Sequence, residues 1–150
     1  MTQPHTDYDT IVVGGGPSGA TAAHELANKG HRVLLLERGF RIKPCGGAIP
    51  PCLLQEFNIP DHLVVARIRS ARMISPKGQS VDMPIDGTFV GMVDRDEFDP
   101  WLRQRASEAG ATVVPGVFKS LEYQEELVSL TYQTKDENPR TITVTARSVL

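Results

Sequence analysis

Cysteine is scarce in this sequence: Cys45 and Cys52 are the only two among 150 residues. Two thiols make neither a disulfide framework nor a zinc site, so a reducing, cytoplasmic setting is the expectation. Charge of one sign is missing as a block. The net charge is −2, which excludes an electrostatic pull toward nucleic acid or an anionic membrane. No apolar run is long enough to span a bilayer. Met1 to Asp7 is short and polar, without the apolar core of a signal peptide. The four histidines, His5, His24, His31 and His62, fall at no metal-binding spacing. Internal repeats and low-complexity segments are absent as well. What remains is ordinary for a globular protein: 40% apolar and 23% charged residues in a length of about one domain, enough to bury a core.

One stretch, Asp9 to Arg38, organises the rest. Ile11-Val12-Val13 is a short apolar, β-branched run of the kind a buried strand carries. Gly14-Gly15-Gly16-Pro17-Ser18-Gly19 fits G-x-G-x-x-G, a helical stretch from Ser18 to Lys29 follows, and Gly30 supplies its stop. Val33 to Leu36 is a second apolar strand, closed by Glu37. Each part has a physical task. Gly14 permits a tight turn, Gly16 lets a pyrophosphate approach the backbone, and Gly19 lets the helix pack close to the strand. Pro17 and Ser18 open the helix, whose N-terminal N–H groups attract phosphate. Glu37 stands eighteen positions beyond Gly19, where a carboxylate can accept hydrogen bonds from an adenosine ribose. A lone glycine fingerprint is weak evidence; strand, helix, second strand and terminal acid together point to dinucleotide binding.

Beyond Glu37 the pattern departs from a simple alternation of strand and helix. Gly39 to Pro51 is a Gly- and Pro-rich loop leaving the carboxyl end of the second strand, where ligands sit in such sheets. Pro51 to Phe57 reads as a short helix, and Asp61 as the cap of another short turn. Arg67 to Ser75 and Gln79 to Pro84 read as a hairpin turning at Pro76-Lys77-Gly78, with Thr88 to Val93 a further strand. Asp94 to Gly110 is helical, with Phe98, Leu102 and Ala106 on one apolar face; Asp94 and Glu97 suit its cap, Trp101 reads as core, and Pro100 should kink the helix or move its start later. Ala111 to Val114 reads as a parallel strand. Val117 to Tyr123, Leu127 to Thr134 and Thr141 to Ala146 read as an antiparallel meander, and Ser148-Val149-Leu150 begins another strand. The expected fold is α/β: a Rossmann-like βαβ with inserted β segments and an antiparallel β-meander, apparently truncated.

Asp9 to Arg38 resembles the FAD fingerprint of flavoproteins of the hydroxybenzoate-hydroxylase type. Arg41-Ile42-Lys43-Pro44-Cys45-Gly46-Gly47-Ala48-Ile49-Pro50-Pro51 resembles the geranylgeranyl reductases of chlorophyll and bacteriochlorophyll synthesis, and is most similar to the bacteriochlorophyll branch. Ala71 to Pro76 and Gly91 to Arg95 are similar to that family too, and the resemblance covers most of residues 8 to 120. It implies that residues 1–150 are the N-terminal part of an FAD/NAD(P)-binding domain, with residues 67–93 in a β layer of the substrate domain. It also implies an enzyme that uses NADPH and FAD to saturate isolated double bonds of a geranylgeranyl tail, giving phytyl. The implied substrate is a prenylated pigment or geranylgeranyl diphosphate, and the implied location is cytoplasmic with peripheral contact to the photosynthetic membrane. The 150-residue piece alone is expected to be inactive.

An isolated alkene is a poor hydride acceptor, so such a site must exclude water and place an acid nearby. Cys45, in a glycine loop that by resemblance reaches the isoalloxazine, either donates that proton or packs beside the ring. Packing is favoured, because a thiol of ordinary acidity is a weak acid for an alkene. Gly46 and Gly47 either admit the flavin to the backbone or are ordinary turn glycines. Arg38 is assigned to the adenosine or phosphate end of FAD rather than to solvent. Arg95 points toward FAD by resemblance; its ordinary alternative is a partner for Asp99 at i+4. His24 reads as a plain helix residue and Cys52 as core of the short helix. Two alternatives stand beside the reductase: a flavin monooxygenase of the same fold, and a non-catalytic prenyl-binding protein like the Rab GDP-dissociation inhibitors.

Overall fold

The computed structural model describes residues 5–39, 44–45, 47–124 and 126–150. In chain order its elements are β1 (Thr10–Val13), α1 (Pro17–Asn28), β2 (Val33–Glu37), β3 (Ala48–Ile49), α2 (Pro51–Glu56), a 3₁₀ turn (Asp61–Leu63), β4 (Val64–Ile68), β5 (Ser70–Ile74), β6 (Ser80–Pro84), β7 (Val90–Val93), α3 (Arg95–Glu108), β8 (Thr112–Gln124), β9 (Leu127–Thr134), β10 (Thr141–Ala146) and β11 (Ser148–Val149). They form two compact units: Met1–Arg41 with Asp99–Leu150, and Ile42–Phe98.

The first unit is a six-stranded sheet in the order β10-β9-β8-β2-β1-β11. β8, β2, β1 and β11 run parallel, and β8, β9 and β10 are antiparallel. Val33, Leu34, Leu35 and Leu36 are all buried, as a central parallel strand with both faces covered requires. On one face Ile11, Leu34 and Leu36 pack with Leu130, Tyr132 and Ala146 of the meander. On the other, α1 lies against β1 through buried Ala20, Ala23 and Ala27. Pro17 starts the helix, where its missing N–H costs nothing. Gly30 stops it at φ +83, donating its N–H to the Ala27 carbonyl at 2.9 Å.

The spacing predicts two strands where the structure has one. Ala111–Val114 and Val117–Tyr123 merge into the continuous β8, which pairs in parallel with β2 as far as Pro115 and antiparallel with β9 from Gly116 onward. A Cβ on Gly116 would lie 2.7 Å from Leu36 Cδ1 and 2.8 Å from Tyr132 Cδ2. Glycine therefore lets two core side chains close over the strand where its partner changes, and the Pro-Gly pair that reads as a break is a passage instead.

The segment before β1 is tied down by carboxylates. Asp7 accepts the Thr145 N–H at 2.8 Å and the Thr145 hydroxyl at 2.9 Å. Asp9 accepts the Arg32 N–H at 2.8 Å and its guanidinium at 3.1 Å. These backbone and side-chain hydrogen bonds hold both carboxyls below the ordinary Asp range.

The second unit holds a three-stranded sheet, β3-β7-β4, and the hairpin β5-β6. The hairpin turns where the sequence predicts, with Gly78 N–H donating to the Ser75 carbonyl at 2.9 Å. Its first strand is shorter than predicted: Arg67 and Ile68 belong to β4, opposite Gly91 and Val90 of β7. A strand-like run gives no sign of where it changes partner. Along the hairpin, Ala71 faces Met83 and Met73 faces Val81, while Arg72 faces and pairs with Asp82. One face is thus apolar and the other bears an ion pair. α2 forms as expected but buries no residue, and Cys52 is exposed rather than core; Leu53, Leu54 and Phe57 take the half-buried positions.

In α3, Phe98, Leu102 and Ala106 are buried as the spacing predicts. The helix starts at Arg95 and runs through Pro100, not after it, with the Asp94 carbonyl accepting the Phe98 N–H at 2.8 Å. Pro100 and Asp96 are both exposed, so water can replace the N–H that proline lacks. Trp101 is half-buried rather than core, with the Arg105 guanidinium 5.6 Å from its ring centroid. Among the described residues no helix is long and apolar enough to cross a membrane.

Two measurements test this packing. A Cβ on Gly19 would lie 1.9 Å from the Gly14 carbonyl oxygen, a backbone atom held by the turn. Gly19→Ala should therefore destabilise the chain by about 3 kcal/mol and Gly116→Ala by about 1–2 kcal/mol. Gly30→Ala meets nothing within 4 Å and should cost only the strain of its positive φ, about 1 kcal/mol. Denaturant unfolding ranks the three; a Gly19 variant no weaker than Gly30→Ala would refute the close approach. The Asp7 and Asp9 hydrogen bonds favour ionised carboxylates in the folded state, so their stabilisation is present above the ordinary Asp pKa of about 3.9 and lost as pH falls below it. Asp7→Asn with Asp9→Asn should flatten the acid limb of a stability–pH curve.

Candidate cofactor-binding site

The glycine turn sits between β1 and α1 at the carboxyl end of the parallel strands. Gly14 has φ +110, a conformation that side chains rarely adopt, and its N–H donates to the Leu36 carbonyl at 2.8 Å. The turn is thereby pinned to the end of β2. Gly16 is the N-cap of α1, at φ −77 and ψ −176, with its carbonyl accepting the Ala20 N–H at 2.9 Å. That backbone is open to any residue, so glycine here is not required by conformation. No side chain caps α1, and its first turn holds no acid. Ser18 is exposed beside Pro17 at this end. Gly19 permits the 1.9 Å approach described above, and a Cβ there would also press on Val12.

Glu37 ends β2 beside this turn, half-buried. Its Oε2 accepts the Gly15 N–H at 2.5 Å and its Oε1 accepts the Gly39 N–H at 2.9 Å. A carboxylate offers about four lone-pair sites, so two backbone donors orient it and leave capacity for further hydroxyl donors. Arg38 is exposed. The Lys135 ammonium comes within 3.1 Å of where a Gly39 Cβ would stand, adding positive charge to this end of the sheet.

The remaining candidates lie in the second unit or at its boundary. Cys45 is exposed. Gly47 has φ +64, and its carbonyl accepts the Val93 N–H at 3.0 Å. A Cβ on it would lie 2.0 Å from the Val93 carbonyl oxygen. Its own chain accounts for its being glycine. Gly46 lies outside the described residues, as do Arg41 to Lys43 of the same loop. Arg95 is the first residue of α3, directly after β7 and Asp94. His24 is a helix residue: Nδ1 is 3.2 Å from the Arg105 carbonyl and Nε2 is 2.8 Å from Asn28 Nδ2. Among the described residues no group of His, Cys, Asp or Glu could hold a metal ion.

One residue beside the turn escapes the sequence reading. Arg103, 8% exposed, donates from Nη1 to the Gly15 carbonyl at 2.9 Å. A charged residue between Leu102 and Gln104 reads as solvated. The available signal is helical spacing, since Arg103 follows Asp99 by one turn and precedes Ala106 by another, and both are buried.

Residues 12–50 match the model of the NAD(P)-binding Rossmann-like domain. A geranylgeranyl diphosphate reductase from Rhodobacter capsulatus is 60% identical over 115 residues, covering 77% of this chain and 29% of that protein. A solved structure of a geranylgeranyl bacteriochlorophyll reductase-like protein from Thermoplasma acidophilum superposes with a TM-score of 0.82 at 26% identity, covering 95% of this chain and 38% of that one. A myxobacterial FAD-dependent halogenase shares the fold at 23% identity and a TM-score of 0.76, over 95% of this chain and 36% of that one. The chain spans about three-tenths of the length of the curated relative it matches. Over the matched 115 residues, the chain is a homologue of the geranylgeranyl reductases.

Proposed function

We propose that this chain is the dinucleotide-binding part of an FAD-dependent geranylgeranyl reductase that draws its electrons from NADPH. One observation carries the reading: the Glu37 carboxylate is oriented by two backbone N–H groups beside an uncapped glycine turn, within a stretch 60% identical to a geranylgeranyl diphosphate reductase. The residues present fit the adenosine-pyrophosphate half of FAD. Gly16 starts α1 from an ordinary extended conformation, and its lack of a Cβ is assigned to the approach of a phosphate. The free N–H groups of α1 would hold that phosphate, Pro17 and Ser18 forming the helix opening, with Gly14 and Gly19 shaping the turn. Glu37 would accept the ribose hydroxyls, and Arg38 would lie toward the adenosine or phosphate end.

When bound, FAD supplies hydride transfer, with NADPH as the source. The chain's own share is binding, orientation and exclusion of water. We assign residues 67–93 to a β layer of the substrate domain; the apolar hairpin face of Ala71, Met73, Val81 and Met83 suits an apolar prenyl tail. Arg95 and Gly46 are assigned toward FAD from the family pattern. Cys45 is assigned to shaping the cavity rather than to proton donation, since a neutral thiol is a weak acid for an alkene. The substrate is a geranylgeranylated pigment or geranylgeranyl diphosphate, and contact with the photosynthetic membrane is peripheral.

The deciding experiment incubates the full-length protein with NADPH and each of these substrates. Mass gains of two hydrogens per step support the reading. Oxygen consumption without alkene reduction would replace it with a monooxygenase, and a colourless protein that binds prenyl chains would replace it with a binding module. Glu37→Gln should weaken FAD affinity by about 1–3 kcal/mol, for a hydrogen bond to a charged group; unchanged flavin occupancy would remove Glu37 from the site. Cys45→Ser and Cys45→Ala should behave alike in stopped-flow, with flavin reduction intact in both. A loss of about 10²-fold or more confined to alkene reduction in the serine variant would make Cys45 the general acid.

A further inference from the structure

We infer that Arg103 is a positioning residue for the nucleotide site: it restrains the backbone on the carbonyl side of Gly15, so that the Gly15 N–H on the other side holds Glu37 in its ribose-accepting orientation. The inference rests on the Glu37–ribose reading above. Its basis is Gly15, whose carbonyl accepts Arg103 Nη1 at 2.9 Å while its N–H donates to Glu37 Oε2 at 2.5 Å. Two side chains from different elements, α3 and β2, thus grip neighbouring polar groups of one residue. The stem of Arg103 and Glu37 also flank the same empty space. A Cβ on Gly15 would lie 2.9 Å from Arg103 Cδ, 3.1 Å from Glu37 Cβ and 3.3 Å from Glu37 Oε2. That contact explains a fourth glycine, at a position where the fingerprint tolerates any residue.

Burial makes the arrangement more than incidental. Removing a guanidinium from water is costly unless its donors are used, and Arg103 is buried on the inward face of α3 with Asp99, Leu102 and Ala106. An apolar residue would pack that face without the desolvation cost. What arginine adds at this point is a donor that reaches the turn from outside the βαβ unit. It restrains the backbone at Gly15, and the Gly15 N–H passes that restraint to the carboxylate. Arg103 touches neither ribose nor flavin in this scheme; it acts through Gly15 and Glu37.

The test reads ribose recognition directly. Displacement of FAD from the full-length protein by ADP is compared with displacement by 2′,3′-dideoxy-ADP, which lacks the hydroxyls that Glu37 would accept. In the unaltered protein ADP should bind more tightly. Arg103→Met keeps the stem and deletes the donor; it should cut that preference by about tenfold while the weaker dideoxy affinity changes little. Gly15→Ala attacks the same contact from the other side and should cut the preference too, so the test survives if either variant fails to fold. Arg103→Lys, which restores a donor, should recover part of the preference. Equal losses for both ligands, or a retained preference in whichever of Arg103→Met and Gly15→Ala folds, would overturn the positioning role. Glu37→Gln is the separate control. If it leaves the hydroxyl preference intact, the ribose assignment of Glu37 fails, which is a different failure from that of Arg103.

Discussion

The architecture of the first unit depends on one steric constraint, the approach of α1 to the end of β1. A side chain on Gly19 would meet the Gly14 carbonyl oxygen at 1.9 Å and Val12 at 3.2 Å. With hydrogen in that place, the helix settles onto the strand and its buried alanines meet the sheet. The same approach forces the chain to reverse within Gly14 to Gly16 and aims the uncapped N-terminal N–H groups past the sheet's carboxyl edge. The end of β2 lies beside that edge because β1 and β2 pair from Thr10 with Val33 through Val13 with Leu36. The Glu37 carboxylate, one residue on, is then within reach of the Gly15 N–H. Packing, turn geometry and the placing of the Glu37 carboxylate follow from one missing methyl group.

Much of this is legible in the residues because local chemistry and tertiary outcome agree. β1, α1, β2 and the Gly30 stop carry their own signals, as do the meander strands with their alternating burial. The departures share a different cause. β8 reads as two strands because Pro115 and Gly116 are local breakers, whereas Leu36 and Tyr132 closing over Gly116 make the glycine a packing requirement. The hairpin reads as starting too early because β4 and β5 are both strand-like, and only the pairing of Arg67 and Ile68 with β7 separates them. Trp101 and Cys52 read as core by residue type. α3 buries another face and α2 buries none, and an aromatic ring can find its cover in an arginine such as Arg105.

The site divides the same way. Gly14, Gly16, Gly19 and Glu37 announce themselves by spacing, since a turn, a close approach and a strand-terminal acid each demand one residue type. Arg103 does not, because its role arises between residues 88 positions apart in the chain. No local pattern encodes such a distance. Besides the helical spacing of Arg103, a trace lies at Gly15, where the fingerprint leaves the residue free and the chain still has glycine.

That trace separates glycines by what excludes their side chains. At Gly15, Gly19, Gly47 and Gly116 the excluding atoms belong to the protein: Arg103 and Glu37, Gly14, Val93, and Leu36 with Tyr132. These glycines serve packing and would be expected in a protein that bound nothing. Gly16 is the N-cap of α1, with its backbone in a region open to every residue. The proposed reason for glycine there is a phosphate approaching from outside, at a point where the helix N–H groups are uncapped and the first turn offers no anion of its own. The glycine loop that follows β2 is therefore weaker evidence for a ligand than its composition suggests, since Gly47 is already accounted for by Val93. The proposed dinucleotide site rests on the uncapped start of α1 at Gly16 and on the Glu37 carboxylate, which two backbone N–H groups orient with lone pairs to spare.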